Sequence, residues 1–204
     1  MKEKDIALLE KRNPFVKSLK LSKTIGEPYV AFLIDGLFSD SECAELIEKA
    51  SSRWSKEHTN KYGEKWSDDA LRNNLSAHMR SVKVAGNIYE RVQPLLKGSI
   101  GLNENLRWNL FNRADQAIAP HVDGEYVSGK GTISKLTFLL YLNSCRKGGE
   151  TRFLSAKTMR HVDVTPVAGR VLLFDQRLPH AALPVGKGLE KITLRSDVMY
   201  AEGG

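Results

Sequence analysis

Two histidines and an aspartate carry the most legible chemistry of this chain. His121 and Asp123 flank Val122 in one tripeptide, and His180 follows fifty-seven residues later. Two ring nitrogens and one carboxylate can cap one triangular face of an octahedral metal ion. The other three positions then stay open for a cosubstrate and dioxygen, an arrangement that suits ferrous iron. In a strand, residues i and i+2 point to the same side, so His121 and Asp123 can converge on one ion. His180 must arrive from a non-adjacent strand, which demands a β-fold that returns on itself.

The same tripeptide occurs again as His161-Val162-Asp163, and it needs excluding. It is followed by Val164-Thr165-Pro166-Val167-Ala168-Gly169-Arg170 and then the apolar run Val171-Leu172-Leu173-Phe174. Strand, Gly-containing turn and strand predict a hairpin centred near Ala168. In such a hairpin His161 faces residue 175 and not His180. Five residues of offset amount to about 16 Å, beyond any shared ligand sphere. The first tripeptide is therefore the expected metal site, and the second the polar face of a strand.

At 204 residues, with 41% apolar and 27% charged content, the chain is one ordinary domain with a core of its own. No stretch has the length needed to cross a bilayer, and the leading MKEKDIALLEKRNPF lacks a secretory apolar core. The two cysteines, Cys43 and Cys145, offer neither a disulfide framework nor metal-knuckle spacing, so both are expected as reduced thiols in a cytoplasmic protein. More than half of the formal charge of +7 lies in residues 1–25, which hold seven Lys/Arg against three Asp/Glu. A nucleic-acid surface wants basic residues interleaved with aromatics, and Phe15 is the sole aromatic there, so neither a nucleic-acid nor a membrane partner is expected. Residues 1–25 are expected as a basic N-terminal extension, and 26–204 as the catalytic domain.

Several elements must position the triad. A short helix over 3–12 ends at Asn13-Pro14, and Pro28–Ile34 reads as the first true strand. Ser39 or Asp40 caps a helix running to about Trp54, and a second helix spans about Lys83 to Leu96. Residues 55–81 are polar and predict a long loop beside the site. From Leu106 the pattern changes to about eight short strands, near 106–112, 117–122, 133–142, 150–154, 161–166, 170–174, 181–184 and 191–200. Eight strands with long returns fit an α+β fold: a double-stranded β-helix, or jelly roll, with its core at about 105–202 and the helices packed on one outer sheet.

In the last strand, alternation puts Lys191, Thr193, Arg195 and Asp197 on one side and Ile192, Leu194 and Val198 on the other. The apolar side belongs between layers. The polar side can face the pocket, and Lys191 is the natural cation for the distal carboxylate of a keto-acid cosubstrate, because an unpaired carboxylate in a pocket is costly.

From Leu106 to Tyr200 the chain resembles the iron(II)- and 2-oxoglutarate-dependent dioxygenases of the prolyl 4-hydroxylase type. The matching pieces are Pro120-His121-Val122-Asp123-Gly124, Leu139-Leu140-Tyr141-Leu142-Asn143, Gly148-Gly149-Glu150-Thr151-Arg152-Phe153, Pro166-Val167-Ala168-Gly169-Arg170, His180 with Pro184-Val185, and Gly188-Leu189-Glu190-Lys191. The resemblance implies His121, Asp123 and His180 as iron ligands and Lys191 as partner of the 2-oxoglutarate distal carboxylate. It implies further hydrogen bonds to that cosubstrate from Tyr141 and Thr193, with Arg195 as rival to Lys191, contact to the prime substrate or partner of Asp197. Dioxygen is then the second cosubstrate and ascorbate a reductant. The expected reaction hydroxylates a C–H bond, on a prolyl or other residue of a protein or peptide, with decarboxylation of 2-oxoglutarate to succinate. Phe111 and Asn112 stand where the family often has a tyrosine, which bears on the substrate and not on the chemistry.

Alternatives keep the reaction but act on a free amino acid, a small metabolite or an alkylated base. A jelly roll that only binds metal or ligand would have no need of both Asp123 and Lys191. A zinc hydrolase with the same ligands would lack an evident general base and leave Lys191 unexplained.

Overall fold

The computed structural model describes residues 1–59, 64–129, 131–155 and 157–203. From the N-terminus, α1 (Glu3–Arg12) leads into β1 (Val16–Ser18), the short α2 (Leu21–Thr24), β2 (Ala31–Ile34) and α3 (Asp40–Glu48). A ribbon of β3 (His58–Thr59) and β4 (Lys65–Trp66) precedes β5 (Leu75–Arg80), α4 (Val82–Val92) and β6 (Ser99–Leu102). Then follow β7 (Asn105–Phe111), β8 (Ile118–His121), β9 (Val127–Ser128), β10 (Thr132–Tyr141) and β11 (Thr151–Leu154). The last four are β12 (His161–Val164), β13 (Val171–Asp175), β14 (His180–Ala182) and β15 (Lys191–Ala201). All eight strands expected in the C-terminal half are present.

The strands form a large antiparallel sheet in the order β1-β2-β13-β10-β15-β7-β5, with β6 on β15 and β9 on β10. A smaller sheet runs β12-β11-β14-β8. Chain order and sheet order interleave, the mark of a jelly roll. Alternation along β15 and its neighbours divides the large sheet into two faces. Ile192, Leu194, Phe138, Leu140 and Trp108 meet the helices, within a core that also holds Leu46, Ile88 and Val92. Tyr141, Phe174 and Leu172 turn the other way, toward Phe153 and Val164 of the small sheet. α1, α3 and α4 therefore lie on the outer face, as expected, whereas the short α2 packs Leu21 into the core on the other side. Trp108 Nε1 donates to the Leu46 carbonyl at 2.9 Å to pin α3 in place.

Helix ends follow local chemistry. Ser39 and Glu42 form a reciprocal capping box at the start of α3. That helix stops at Glu48 and not near Trp54, since the Ser51 hydroxyl donates to the Glu48 carbonyl at 2.8 Å and competes with helical pairing. Beyond α4 the chain tightens into a 3-10 turn over Gln93–Leu95, where Pro94 has no N–H to continue the ladder. The leading helix occupies the residues anticipated for it, and it buries Ile6 completely while β1 pairs with β2.

Two expectations need correction. The polar stretch 55–81 is not all loop, for β5 pairs with β7 as the outer strand of the large sheet. Its buried Ser76 and partly buried His78 face other polar groups, while Leu75, Ala77 and Met79 turn toward the core. The strands on either side of Ala168 do not form a hairpin either. β12 pairs with β11 in the small sheet, while β13 pairs with β10 and β2 in the large one. The turn between them crosses from sheet to sheet, and Gly169 packs so closely that a Cβ there would lie 2.1 Å from the Phe38 carbonyl oxygen. Among the described residues no helix is long and apolar enough to cross a membrane.

Candidate metal centre

β8 and β14 are neighbours in the small sheet, and His121 and His180 are direct cross-strand partners. Their rings lie 4.3 Å apart, centroid to centroid. Asp123 follows the end of β8, where its N–H donates to the Gln176 carbonyl at 2.9 Å. One donor atom from each of His121, Asp123 and His180 lies within 4.8 Å of the others. Asp123 Oδ1 is 3.9 Å from His121 Nε2, and Oδ2 is 3.6 Å from His180 Nε2.

Each imidazole is oriented by its own strand. His121 Nδ1 bonds the Ala119 carbonyl at 2.8 Å and His180 Nδ1 the Leu178 carbonyl at 2.9 Å. A carbonyl only accepts, so Nδ1 carries the proton and the Nε2 lone pair is free to point at Asp123. Burial and the neighbouring His180 push His121 down to about 4, against the pull of Asp123, so its ring is neutral at pH 7. Asp123 is held by Thr137 Oγ1, which donates to Oδ2 at 2.5 Å, and by Arg195 Nη2, 3.0 Å from Oδ1. Burial alone would raise its carboxyl, but Arg195 and the two imidazoles outweigh it and keep the group well below the usual carboxylate range.

These residues fit a ferrous ion. Donors about 2.0–2.2 Å from a metal and at right angles sit about 3 Å apart, so the 3.9 and 3.6 Å separations from Asp123 to the imidazoles would close by about 0.6–0.9 Å around an ion. The donors are two imidazole nitrogens and one carboxylate, each with an outer hydrogen bond of the kind that fixes metal ligands.

The second tripeptide lies on the wrong face. In the small sheet Val162, Phe153 and His180 share a row. His161 and Asp163, one position to either side, therefore point outward, where Arg152 makes two 2.7 Å bonds to Asp163. Strand alternation, and not the expected hairpin, turns this pair away from the cavity.

Lys191 opens β15 on the cavity wall that His121, Asp123 and His180 also line. It is 1% exposed, its Nζ donates to the Gly149 carbonyl at 2.8 Å, and it lies 4.1 Å above the centre of the Phe111 ring. Burial pushes its ammonium down to about 7. Thr193 lines the same cavity and its hydroxyl receives an Asn109 amide N–H at 3.4 Å. Tyr141 is wholly buried and donates its hydroxyl proton to Thr151 Oγ1 at 2.7 Å, so that Thr151 is the hydroxyl on the cavity wall. Arg195 bridges Asp123 to Asp197, at 3.0 and 3.1 Å.

Sequence reasoning missed Thr137, Thr151, Asn109, Arg72 and Arg107, all of which line the cavity. Register is the signal that finds most of them: Thr137 pairs with Asp197, Asn109 with Thr193 and Arg107 with Arg195, so each shares a face with the polar side of β15. Arg72 had no such signal, since it lies between strands.

Residues 108–196 match the 2OG-Fe(II) oxygenase superfamily. No curated protein matches the sequence. Solved structures share the fold at low identity. The viral collagen prolyl hydroxylase of Paramecium Bursaria Chlorella virus-1, in complex with 2OG, is 21% identical with a TM-score of 0.57, over 87% of this chain and 99% of that one. A Trichoplax adhaerens prolyl hydroxylase, in complex with a hypoxia-inducible-factor peptide fragment, is 17% identical with a TM-score of 0.64, over 97% and 93%. The non-heme alpha-ketoglutarate-dependent epimerase SnoN of nogalamycin biosynthesis is 16% identical with a TM-score of 0.61, over 96% and 84%.

Proposed function

We propose that this chain, whose residues 108–196 belong to the 2OG-Fe(II) oxygenase superfamily, hydroxylates a C–H bond on a prolyl or other residue of a protein or peptide. The observation that carries this is the convergence of His121, Asp123 and His180 within 4.8 Å in a cavity that Lys191 also lines. Iron(II) and 2-oxoglutarate, when bound, supply the chemistry that spends dioxygen, turning 2-oxoglutarate into succinate and CO2 as the substrate gains a hydroxyl group.

The chain's own residues bind, orient and shield. His121 and His180 would hold the iron by Nε2 and Asp123 by its carboxylate. Thr137 and Arg195 hold that carboxylate in place, so that it turns toward the imidazoles without a search. Lys191 would receive the distal carboxylate of 2-oxoglutarate, with Thr193 and Thr151 as the nearby hydroxyls. Phe111, Leu139 and Phe174 line the same cavity and exclude water from it. Ascorbate is the proposed reductant, and the buried free thiols Cys43 and Cys145 suit a reducing, cytoplasmic setting.

A peptide substrate is favoured by analogy with the Trichoplax structure, which contains one. The same chemistry on a free amino acid or small metabolite is the second reading, and the specific observation favouring it is the cationic wall formed by Arg72 and Arg107.

Anaerobic titration of the iron-loaded protein with 2-oxoglutarate tests the proposal. A visible charge-transfer band should appear, and succinate should be released once air is admitted. Iron binding without any band on adding the keto acid would overturn it.

A further inference from the structure

Among the described residues, four cations line the cavity, Arg72, Arg107, Lys191 and Arg195, and one carboxylate, Asp123. Asp197 sits just behind, ion-paired with Arg195. Asp123 and Asp197 are the carboxylates that act on Arg107, and Asp123 the one that acts on Arg72. With Lys191 in its charged form, four positive groups thus face two negative ones among the described residues. A ferrous ion would raise the excess from two to four, and the two carboxylates of 2-oxoglutarate would bring it back to two. Iron and cosubstrate together leave the excess unchanged, and it lies on the side of the cavity away from Lys191.

That side has a defined construction. Segment 68–74 stitches the edge of the small sheet to the edge of the large one: Ala119 N–H donates to the Leu71 carbonyl and Ala117 N–H to Asn73 Oδ1, both at 2.8 Å. Arg72, 7% exposed, comes off this segment opposite Ile118, three residues before His121. Its guanidinium is oriented by amide oxygens, with Nε and Nη2 on Asn74 Oδ1 at 3.2 and 3.1 Å and Nη2 on Asn109 Oδ1 at 2.8 Å. Arg107 stands on β7 between Arg195 on β15 and His78 on β5. Burial and these guanidiniums hold His58 at about 4 and His78 at about 3, so neither ring adds charge at neutral pH. A buried guanidinium fixed by neutral oxygens beside a metal site is matched best by a planar carboxylate.

We infer that the prime substrate carries a carboxylate, received by Arg72 and Arg107, which sets the substrate's C–H bond beside the metal centre. This rests on the function proposed above and narrows it. The carboxylate has two sources: the α-carboxylate of a free or terminal amino acid, or an acidic side chain next to the target residue in a peptide.

The test uses the full chain loaded with 2-oxoglutarate and Mn(II) in place of iron, and reads paramagnetic broadening of probe resonances. The probes are N-acetyl-L-proline, whose α-carboxylate is free, and N-acetyl-L-glutamyl-L-prolinamide, whose only carboxylate is on a side chain. Their controls are N-acetyl-L-prolinamide and N-acetyl-L-glutaminyl-L-prolinamide. At least one acid should be broadened at a concentration about tenfold or more below its amide, and which acid responds identifies the source. Arg72→Gln and Arg107→Gln should each reduce that acid to the level of its amide, and Arg72→Lys should restore part of the difference. Equal behaviour of acid and amide, no broadening by either acid, or a preference that survives both glutamine variants overturns the inference. The 2-oxoglutarate band with iron separates the two claims: if the band forms and the acids bind no better than the amides, only the carboxylate assignment falls.

Discussion

Lys191 should make 2-oxoglutarate binding weaken as pH rises through neutrality. Its ammonium is the cation proposed for the distal carboxylate, and burial holds it at about 7, against an ordinary value of 10.5. The sign follows directly: a depressed ammonium is charged below its own value and neutral above it. At pH 7 about half the free protein holds the charge and at pH 8.5 about 3%, so the apparent Kd for 2-oxoglutarate should rise about fifteenfold across that interval. The ligand's carboxylates stay ionised throughout, and His121, at about 4, stays neutral. Anaerobic titrations between pH 6.5 and 8.5, read by the charge-transfer band, measure the slope. Lys191→Arg supplies a permanent charge and should flatten it. In the same window the ligand-free protein should gain stability with pH, by up to about 1.4 kcal/mol per unit, because the unfolded chain keeps a proton that the folded one has released. A pH-independent Kd in the wild type, or an unchanged slope in Lys191→Arg, would refute the assignment of Lys191 to that carboxylate.

Other perturbations separate the remaining roles. His180→Ala should abolish the 2-oxoglutarate band and His161→Ala should leave it intact, whereas the opposite pattern would mean that the outward tripeptide binds the metal. Thr137→Val removes the 2.5 Å hydrogen bond to Asp123 and should weaken iron binding by about ten- to a hundredfold in a chelator competition, without loss of fold. Gly169→Ala, at φ +75 with the Phe38 oxygen 2.1 Å from the new Cβ, should melt well below wild type. A cost of about 3 kcal/mol corresponds to a drop of roughly 6–12 °C for a chain of this size, and a melt within about 1 °C would show that the crossing turn yields easily.

The candidate triad was legible from ligand chemistry, which asks for two close donors and a third from far along the chain; strand alternation is not what joins His121 to Asp123, since β8 ends at His121. The place of Lys191 was legible in part: alternation groups it with Thr193 and Arg195 on a side of β15 that could face pocket or water, and all three line the cavity. What stayed hidden depends on pairing that no local pattern encodes. β5 keeps a full alternation of Leu75, Ala77 and Met79 against Ser76, His78 and Arg80, but it is six residues long within a polar stretch, and its partner β7 lies about thirty residues further on. The strands flanking Ala168 look like a local hairpin because each is well formed, yet they belong to different sheets. Thr137 gains its place beside Asp123 from the β10–β15 register, and Arg72 gains its own from a stitch between two sheet edges.

The two His-Val-Asp copies begin on the same small sheet but differ in two ways: His121 points inward and His161 outward, and β8 adjoins the strand of His180 whereas β12 lies one strand further away. Side-chain parity and strand order together thus separate the candidate ligand from its outward copy. Deleting one residue from the connection between β11 and β12 would offer the second copy a shifted alignment in which His161 displaces Val162 from beside Phe153. The sheet resists that exchange by burying Val164 and Phe153, an apolar lock that also guards the identity of the metal site.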